Sequence, residues 1–334
     1  MSDHPSAEFG MRSEELEGLV AGALEQAREQ GADQAEAGAA LGTGLAVTVR
    51  RGDVETLEYQ RDRAFTITVY FDQRKGSAST SDLSPSAIAE GVKKACSIAR
   101  YTAQDACAGL ADAQLMATDI PELELDHPWS LTPDEAIQLA TRCESAGLDF
   151  DERISNSEGG SINTARRARV YGNSHGFVGS YASSSHSLSC VLVAGAEDGM
   201  ERDFWYSSSR DPAALMSPEA VGKMAAERTL RRLGGRKIET CSAPVIFPAE
   251  LARGLLASFV SAITGTAQYR RASFLLDAVG DNVFPNGFRI EEKPHLPAGP
   301  ASAPFDNEGV ATHDRVLVDD GRLQGLVLSS YSAR

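Results

Sequence analysis

The sequence runs to 334 residues with 42% hydrophobic and 24% charged side chains. That balance excludes a disordered or fibrous chain and, at about 100–200 residues per domain, predicts two or three folded units. A formal net charge of −15 repels phosphate backbones and argues against nucleic-acid binding; the densest basic cluster, Arg228, Arg231, Arg232, Arg236 and Lys237, falls at the end of a helical pattern, where cations favour the helix dipole.

In chain order, Leu16, Leu19, Val20, Ala23, Leu24 and Ala27 recur at three and four and predict an amphipathic helix from Ser13 to Gln30, with Ser13 as N-cap and Gly31 as the stop. Alternation then takes over in LAVTVRRGDVETLEYQRDRAFTITVYFDQRKGSAST, which Arg51-Gly52-Asp53 and Arg74-Lys75-Gly76 break into hairpins. A second helix is predicted from Pro85 to Tyr101. Residues 103–131, with Pro121 and Pro128, read as a connector. Thr132 then caps a helix that opens with Pro133 and runs to Ala146. The stretch ARRARVYGNSHGFVGSYASSSHSLSCVLVAGAED alternates like strands, and Ser217 to Leu233 returns to helical spacing. The same helix, meander, helix order thus occurs twice, without residue-level identity between the copies.

Beyond Gly235, Ala243-Pro244-Val245-Ile246-Phe247 predicts a short buried strand, Pro248 starts a further helix, Pro294, Pro297, Pro300 and Pro304 mark loops, and Asp319-Asp320-Gly321 predicts a hairpin turn. The expected architecture is α+β. A helix/β-meander/helix domain covers 1–122, a second covers 123–238, and a strand-rich domain covers 239–334; the sequence stops at Arg334 just after a strand, so that last domain is expected to be incomplete.

Five cysteines, Cys96, Cys107, Cys143, Cys190 and Cys241, lie far apart without C-x-x-C spacing and are expected to be reduced and packed as small hydrophobes. The start, MSDHPSAEFG, has no apolar run behind a positive end, and no stretch reaches the ~18 apolar residues of a membrane span, so the cytoplasm is the expected compartment. Gly172-Asn173-Ser174-His175-Gly176 fits the G-x-S-x-G elbow of serine hydrolases, yet a strand pattern follows where a helix is required, so a hairpin turn is predicted instead. The histidines, His4, His127, His175, His186, His295 and His313, have no spacing that aims two of them at one metal from one helix. The glycines between Gly38 and Gly44 lack the lysine and the strand-to-helix context of a phosphate loop. Composition and spacing alone therefore name no active site.

One helix is unusually blank. GLLASFVSAITG, Gly254 to Gly265, contains no group that titrates, and Leu251, Leu255, Leu256, Phe259, Val260 and Ile263 make an apolar face that by itself reads as a core helix. Taken together with RRGDVE, RKGSASTSDLS, NSHGFVGS, AAERTLRRLGGRKIETCSAPVIFPAE and DNEGVATHDRVLVDDGRLQGLVLSSYSAR, however, the chain resembles the TldD/PmbA family, related to a zinc metallopeptidase, over nearly its whole length from residue 13.

The resemblance implies much about this helix. Chains of the TldD kind carry H-E-x-x-x-H after a pair of leucines, the histidines binding zinc and the glutamate acting as general base. Here Ala257, Ser258 and Ala262 follow Leu255-Leu256 at those positions, which implies the PmbA/TldE kind of chain, without a metal site; a further cysteine ligand of the catalytic relatives lies in a segment beyond Arg334. The family implies that zinc is supplied by a TldD-like partner, in a heteromeric peptidase that admits unfolded or extended peptides and is linked to maturation of peptide-antibiotic precursors and turnover of antitoxins. Peptide capture along exposed strand edges is expected there, with no residue identifying the edge. Two rivals stand beside it: a homodimeric binding or regulatory protein, and a hydrolase using Ser174 with His175 or His186.

Overall fold

The computed structural model describes residues 11–196 and 199–334, so His4 and the polar start lie outside the described residues. Helix α1 (Ser13–Glu29) leads into three strands, β1 (Gln34–Arg50), β2 (Asp53–Phe71) and β3 (Arg74–Thr80), and then α2 (Pro85–Tyr101). The order recurs with α3 (Pro133–Leu148), β4 (Ile154–Asn173), β5 (Val178–Ala196), β6 (Gly199–Ser209) and α4 (Pro218–Arg231). The rest comprises α5 (Ala249–Ala262), α6 (Gly265–Tyr269), three short strands β7 (Ile290–Glu292), β8 (Arg315–Asp319) and β9 (Arg322–Leu323), and α7 (Ser330–Ala333).

The two meanders share one sheet. Strands run in the order β3-β2-β1-β4-β5-β6, every neighbouring pair antiparallel, and the halves join where β1 pairs with β4 from Glu36↔Asn173 to Val49↔Gly160. Period-two alternation decides which face is covered. On β1, Ala35, Ala37, Ala39 and Leu41 are buried with α1 and α2, while Leu45, Val47 and Val49 are buried with α3 and α4. Both helix pairs therefore cover the same face, one pair at each end, and the opposite face carries Gly38, Ala40, Gly42 and Gly44 between them. Burial of these two clusters, at roughly 25 cal/mol per Å² of apolar surface, is the main stabilising contribution.

Local chemistry explains several boundaries. Thr132 caps α3 by accepting from the Glu135 N–H at 3.3 Å while the Glu135 carboxylate accepts from the Thr132 N–H at 2.9 Å. Ser84 and Ser217 cap α2 and α4 by the first of these bonds alone, accepting from the N–H groups of Ala87 and Ala220, and each is followed by proline. At α1 the expected Ser13 cap is displaced by one residue: Arg12 is the N-cap, and its N–H donates to Glu15 at 3.2 Å. The β1–β2 turn falls at Arg51-Gly52 as expected, both residues at positive φ (53° and 82°) as a tight two-residue hairpin requires. Its tip is fixed by buried Glu144 of α3, which accepts from the Arg51 N–H at 2.7 Å and the Gly52 N–H at 3.2 Å.

Two expectations fail for identifiable reasons. The β2–β3 turn lies at Asp72-Gln73 (φ 48° and 60°), not at Arg74-Lys75-Gly76; Gly76 sits inside β3 because α2 packs so closely that an added Cβ would lie 2.1 Å from the Ala95 carbonyl oxygen. Residues 243–247 form neither a strand nor core: Val245, Ile246 and Phe247 are 70%, 91% and 50% exposed. A buried strand needs a neighbour for its backbone groups, and among the described residues none pairs with this stretch. Cys241, in the same segment, is exposed rather than packed, while Cys96, Cys143 and Cys190 are buried and all five are free thiols.

Candidate functional site

Helix α5 starts after Pro248 at its N-cap, and Glu250 in its first turn pairs with Arg228 of α4 at 2.8 Å. Its inner side packs Phe259, with Ile263 at the C-cap, against Leu317, Val318 and Leu323 of the small sheet. The expected core face is only half realised, since Leu251, Leu255 and Leu256 are 59%, 53% and 40% exposed. Ala257 and Ser258 lie on the exposed side and Ala262 is buried. The Ser258 hydroxyl donates to the Gly254 carbonyl at 3.0 Å, the common back-bond of a serine inside a helix.

These side chains do not fit a zinc ion. Methyl groups at 257 and 262 have no lone pair, and the hydroxyl at 258 is neither a thiolate, an imidazole nor a carboxylate. Among the described residues no three His, Cys, Asp or Glu side chains gather in a geometry that holds a metal.

The G-x-S-x-G stretch is the β4–β5 hairpin turn. Ser174 donates its N–H to the Ala35 carbonyl at 2.8 Å, and its hydroxyl accepts from the Ala35 N–H at 3.0 Å. The hydroxyl is thus tied to the start of β1, and among the described residues no histidine is bonded to it. His175 turns to the Ala111 carbonyl at 3.1 Å, and His186 sits far up β5, about 27 Å from the turn at ~3.4 Å per residue. The structure brings neither ring to Ser174. Of the remaining histidines, His127 contacts the Glu124 carbonyl at 2.9 Å and His295 the Thr312 hydroxyl at 2.9 Å. Gly38 to Gly44 are interior to β1 and form no loop.

Sequence reasoning missed two polar assemblies. The first lies under the connector, where residues 123–131 cross the helix-bearing face in the gap between the helix pairs. Asp126 holds buried Arg166 through bonds of 2.7, 2.9 and 3.1 Å. The His127 N–H donates to the Ser184 hydroxyl at 2.8 Å, and buried His186 gives its Nε2–H to the His127 carbonyl at 2.9 Å while Nδ1 meets the Thr164 hydroxyl at 2.8 Å. Trp129 stands edge-on to that ring, centroids 5.4 Å apart. Burial holds the His186 pKa below its ordinary value.

The second assembly is on the opposite face. Glu36 accepts from the hydroxyls of Tyr70 at 3.1 Å and Tyr171 at 2.9 Å, and burial together with the Glu36 charge pushes both phenols upward. Beside it, Arg169 donates to Asn307 at 2.7 Å, and a cavity of about 310 Å³ opens between Glu36, Thr66, Thr68, Arg169, Tyr171 and Asn307. Tyr70 and Tyr171 stand far apart in sequence, and only the strand register places both hydroxyls on one carboxylate.

A helix-backed antiparallel sheet followed by a small domain, with a helix at the junction that has no histidine, cysteine or carboxylate from Gly254 to Ala262, defines the class of fold. Models of PmbA/TldA metallopeptidase domain 1, central domain and C-terminal domain match residues 35–99, 126–233 and 240–334. Metalloprotease PmbA of Escherichia coli O157:H7 is 50% identical over 96% of this chain and 71% of its own length. A metalloprotease PmbA homolog of Haemophilus influenzae is 45% identical over 100% of this chain and 74% of its own. The chain belongs to the PmbA/TldD metallopeptidase family. Among solved structures, a candidate modulator of DNA gyrase from Bacteroides thetaiotaomicron superposes with a TM-score of 0.91 at 28% identity, covering 97% of this chain and 74% of that one. TldE from Thermococcus kodakarensis, at 16% identity, shares the fold with a TM-score of 0.73 over 94% of this chain and 71% of its own.

Proposed function

We propose that this chain is a PmbA/TldE-type subunit that carries no metal and acts with a TldD-type metallopeptidase chain, whose zinc performs the hydrolysis of unfolded or extended peptides. The observation that carries this reading is helix α5: the positions where a zinc-binding relative would present two histidines and a glutamate hold Ala257, Ser258 and Ala262, and the one hydroxyl among them is spent on the Gly254 carbonyl. A chain of this kind contributes surface rather than a reacting group, so it is a pseudoenzyme within a heterodimer. Maturation of peptide-antibiotic precursors and antitoxin turnover are the processes proposed for the pair. The compartment proposed is the cytoplasm, where thiols such as exposed Cys241 stay reduced; among the described residues no helix is long and apolar enough to cross a membrane.

The test is cleavage of an unstructured peptide by this chain alone, by the TldD-type chain alone and by the mixture, each with and without a zinc chelator. Cleavage that is greatest in the mixture, lost on chelation and absent from this chain alone supports the subunit reading. Chelator-sensitive cleavage by this chain alone overturns it.

A further inference from the structure

The helix-free face of the sheet carries a trough along β1. Its floor is Gly38, Ala40, Gly42 and Gly44, which offer a single methyl between them. The cavity of about 310 Å³ beside Glu36 is followed along the trough by one of about 440 Å³ beside Asp62, Arg167 and Ser183. Ala40, Ala64 and Arg169 line both, so Arg169 stands at the boundary between them. The first compartment thus runs from a carboxylate to a guanidinium. Charged groups taken partly out of water are normally paired, and half-buried Glu36 forms no ion pair among the described residues. Its Oε1 accepts the Tyr70 hydroxyl and its Oε2 the Tyr171 hydroxyl. A carboxylate has about four acceptor positions, so each oxygen keeps one to spare. The phenols, whose pKa values burial and the Glu36 charge raise, fix the carboxylate in place without neutralising it. Glu308 adds negative charge near Tyr70, while Arg334 gives its N–H groups to the carbonyls of Cys107 and Leu110.

At the other end, Arg169 gives one N–H to Asn307 at 2.7 Å, and a guanidinium has five to give. The carboxylate beside it, Asp306, is turned instead to the N–H groups of Glu308 and Val310, both at 2.8 Å. In register Arg169 is level with Ala40, four residues beyond Glu36 and about 14 Å along the strand at ~3.4 Å per residue. Both side chains line the space between, which shortens the gap to be bridged; an extended chain of three residues measures about 10 Å at ~3.4 Å each. Half-way along stand Thr66 and Thr68, whose hydroxyls can bond an amide. The Thr66 oxygen would lie 3.3 Å from a Cβ added at Gly38, so it overhangs the floor. The backbone of β1 is already bonded to β2 on one side and β4 on the other. No strand can be added there, and a ligand is held by side chains alone. We propose that this compartment binds short zwitterionic peptides, about three small residues long, with the free ammonium on Glu36 and the free carboxylate on Arg169. The methyl groups of Ala40 and Ala64 leave room for small side chains only. Binding of this kind belongs to the chain by itself and does not rest on the subunit reading.

The test is titration of the whole chain, without any partner, with trialanine, followed by nuclear magnetic resonance at the amides of Gly38, Ala40 and Thr66. Saturable shifts with a dissociation constant on the order of 1 mM or below are expected for a ligand of this size. N-acetyl-trialanine lacks the ammonium and trialanine amide lacks the carboxylate; each should bind about tenfold or more weakly, as should trialanine to Glu36→Gln and to Arg169→Met. Ala40→Leu keeps both charges but fills the floor, and should lose the shifts. Circular dichroism confirms folding of each variant, and the blocked peptides probe the same two contacts on the unaltered chain. Cleavage plays no part in the readout, so the result is separate from that of the peptidase assay. The absence of saturable shifts up to about 10 mM, shifts centred away from the trough, undiminished affinity for either blocked peptide, or a folded Glu36→Gln, Arg169→Met or Ala40→Leu chain that binds as the wild type does would each overturn the proposal.

Discussion

Replacing Asp126 should destabilise the fold out of proportion to the size of the change. Its carboxylate makes three bonds of 2.7–3.1 Å to Arg166, whose side chain is 6% exposed against 16% for Asp126. Asp126→Ala strips these bonds and one carboxylate charge from a buried guanidinium, and breaking a buried pair in this way costs about 3–5 kcal/mol; the partial exposure of Asp126, which lets water enter, and the other interaction that Arg166 keeps place the expectation at the lower end, about 3 kcal/mol. With a urea m-value of about 3 kcal/mol per molar, that is a midpoint lower by about 1 M. The double variant Asp126→Leu with Arg166→Met removes both charges and should recover part of the loss, because it also removes the cost of keeping a cation buried after its carboxylate is gone. Urea unfolding followed by far-ultraviolet circular dichroism measures both. A single variant whose midpoint falls by less than about 0.3 M, equivalent to about 1 kcal/mol at that m-value, or a double variant as unstable as the sum of its singles, would refute the reasoning.

Further expectations follow from the same packing. An added methyl at Gly222 would lie 2.0 Å from the Cys143 carbonyl oxygen and 3.0 Å from the Gly147 nitrogen, so Gly222→Ala must push α3 from α4 and should cost about 1–3 kcal/mol in urea unfolding, whereas Gly18→Ala, with nothing within 4 Å, should stabilise α1 by about 0.5–1 kcal/mol. Because burial lowers the His186 pKa in the folded state, the unfolded chain binds the proton more readily, so stability is complete above the ordinary histidine value of about 6.5 and declines as pH falls through it towards the lower folded value. His186→Gln should flatten that part of the pH–stability curve; an unchanged curve would remove His186 as its source. Ser174→Ala should leave any peptide cleavage by the mixed chains unchanged and cost about 1 kcal/mol of stability, the worth of its bond to the Ala35 N–H; loss of activity in a folded variant would restore the serine-hydrolase reading.

What the sequence determined by itself was local. The periodicity of Leu16, Val20, Ala23 and Ala27 and the box formed by Thr132 and Glu135 specify helices, because caps and apolar stripes are written within a few residues of one another. Alternation and Arg51-Gly52 specify the first hairpin for the same reason. That positions 257 and 262 of α5 offer no metal ligand was also legible, since a methyl group there has no lone pair in any fold. Tertiary structure decided what depends on partners distant in sequence. The expected strand at 243–247 is exposed because no neighbour among the described residues offers its backbone hydrogen bonds, and Gly76 belongs to a strand under α2 rather than to a turn. Two meanders read as separate units share a sheet because β1 bonds to β4, a pairing that no local pattern encodes. The Asp126–Arg166 pair and the two tyrosines on Glu36 arise the same way. Which carboxylate meets which cation or phenol is fixed by register and by the path of the connector across the sheet, and both are set only when the chain closes on itself.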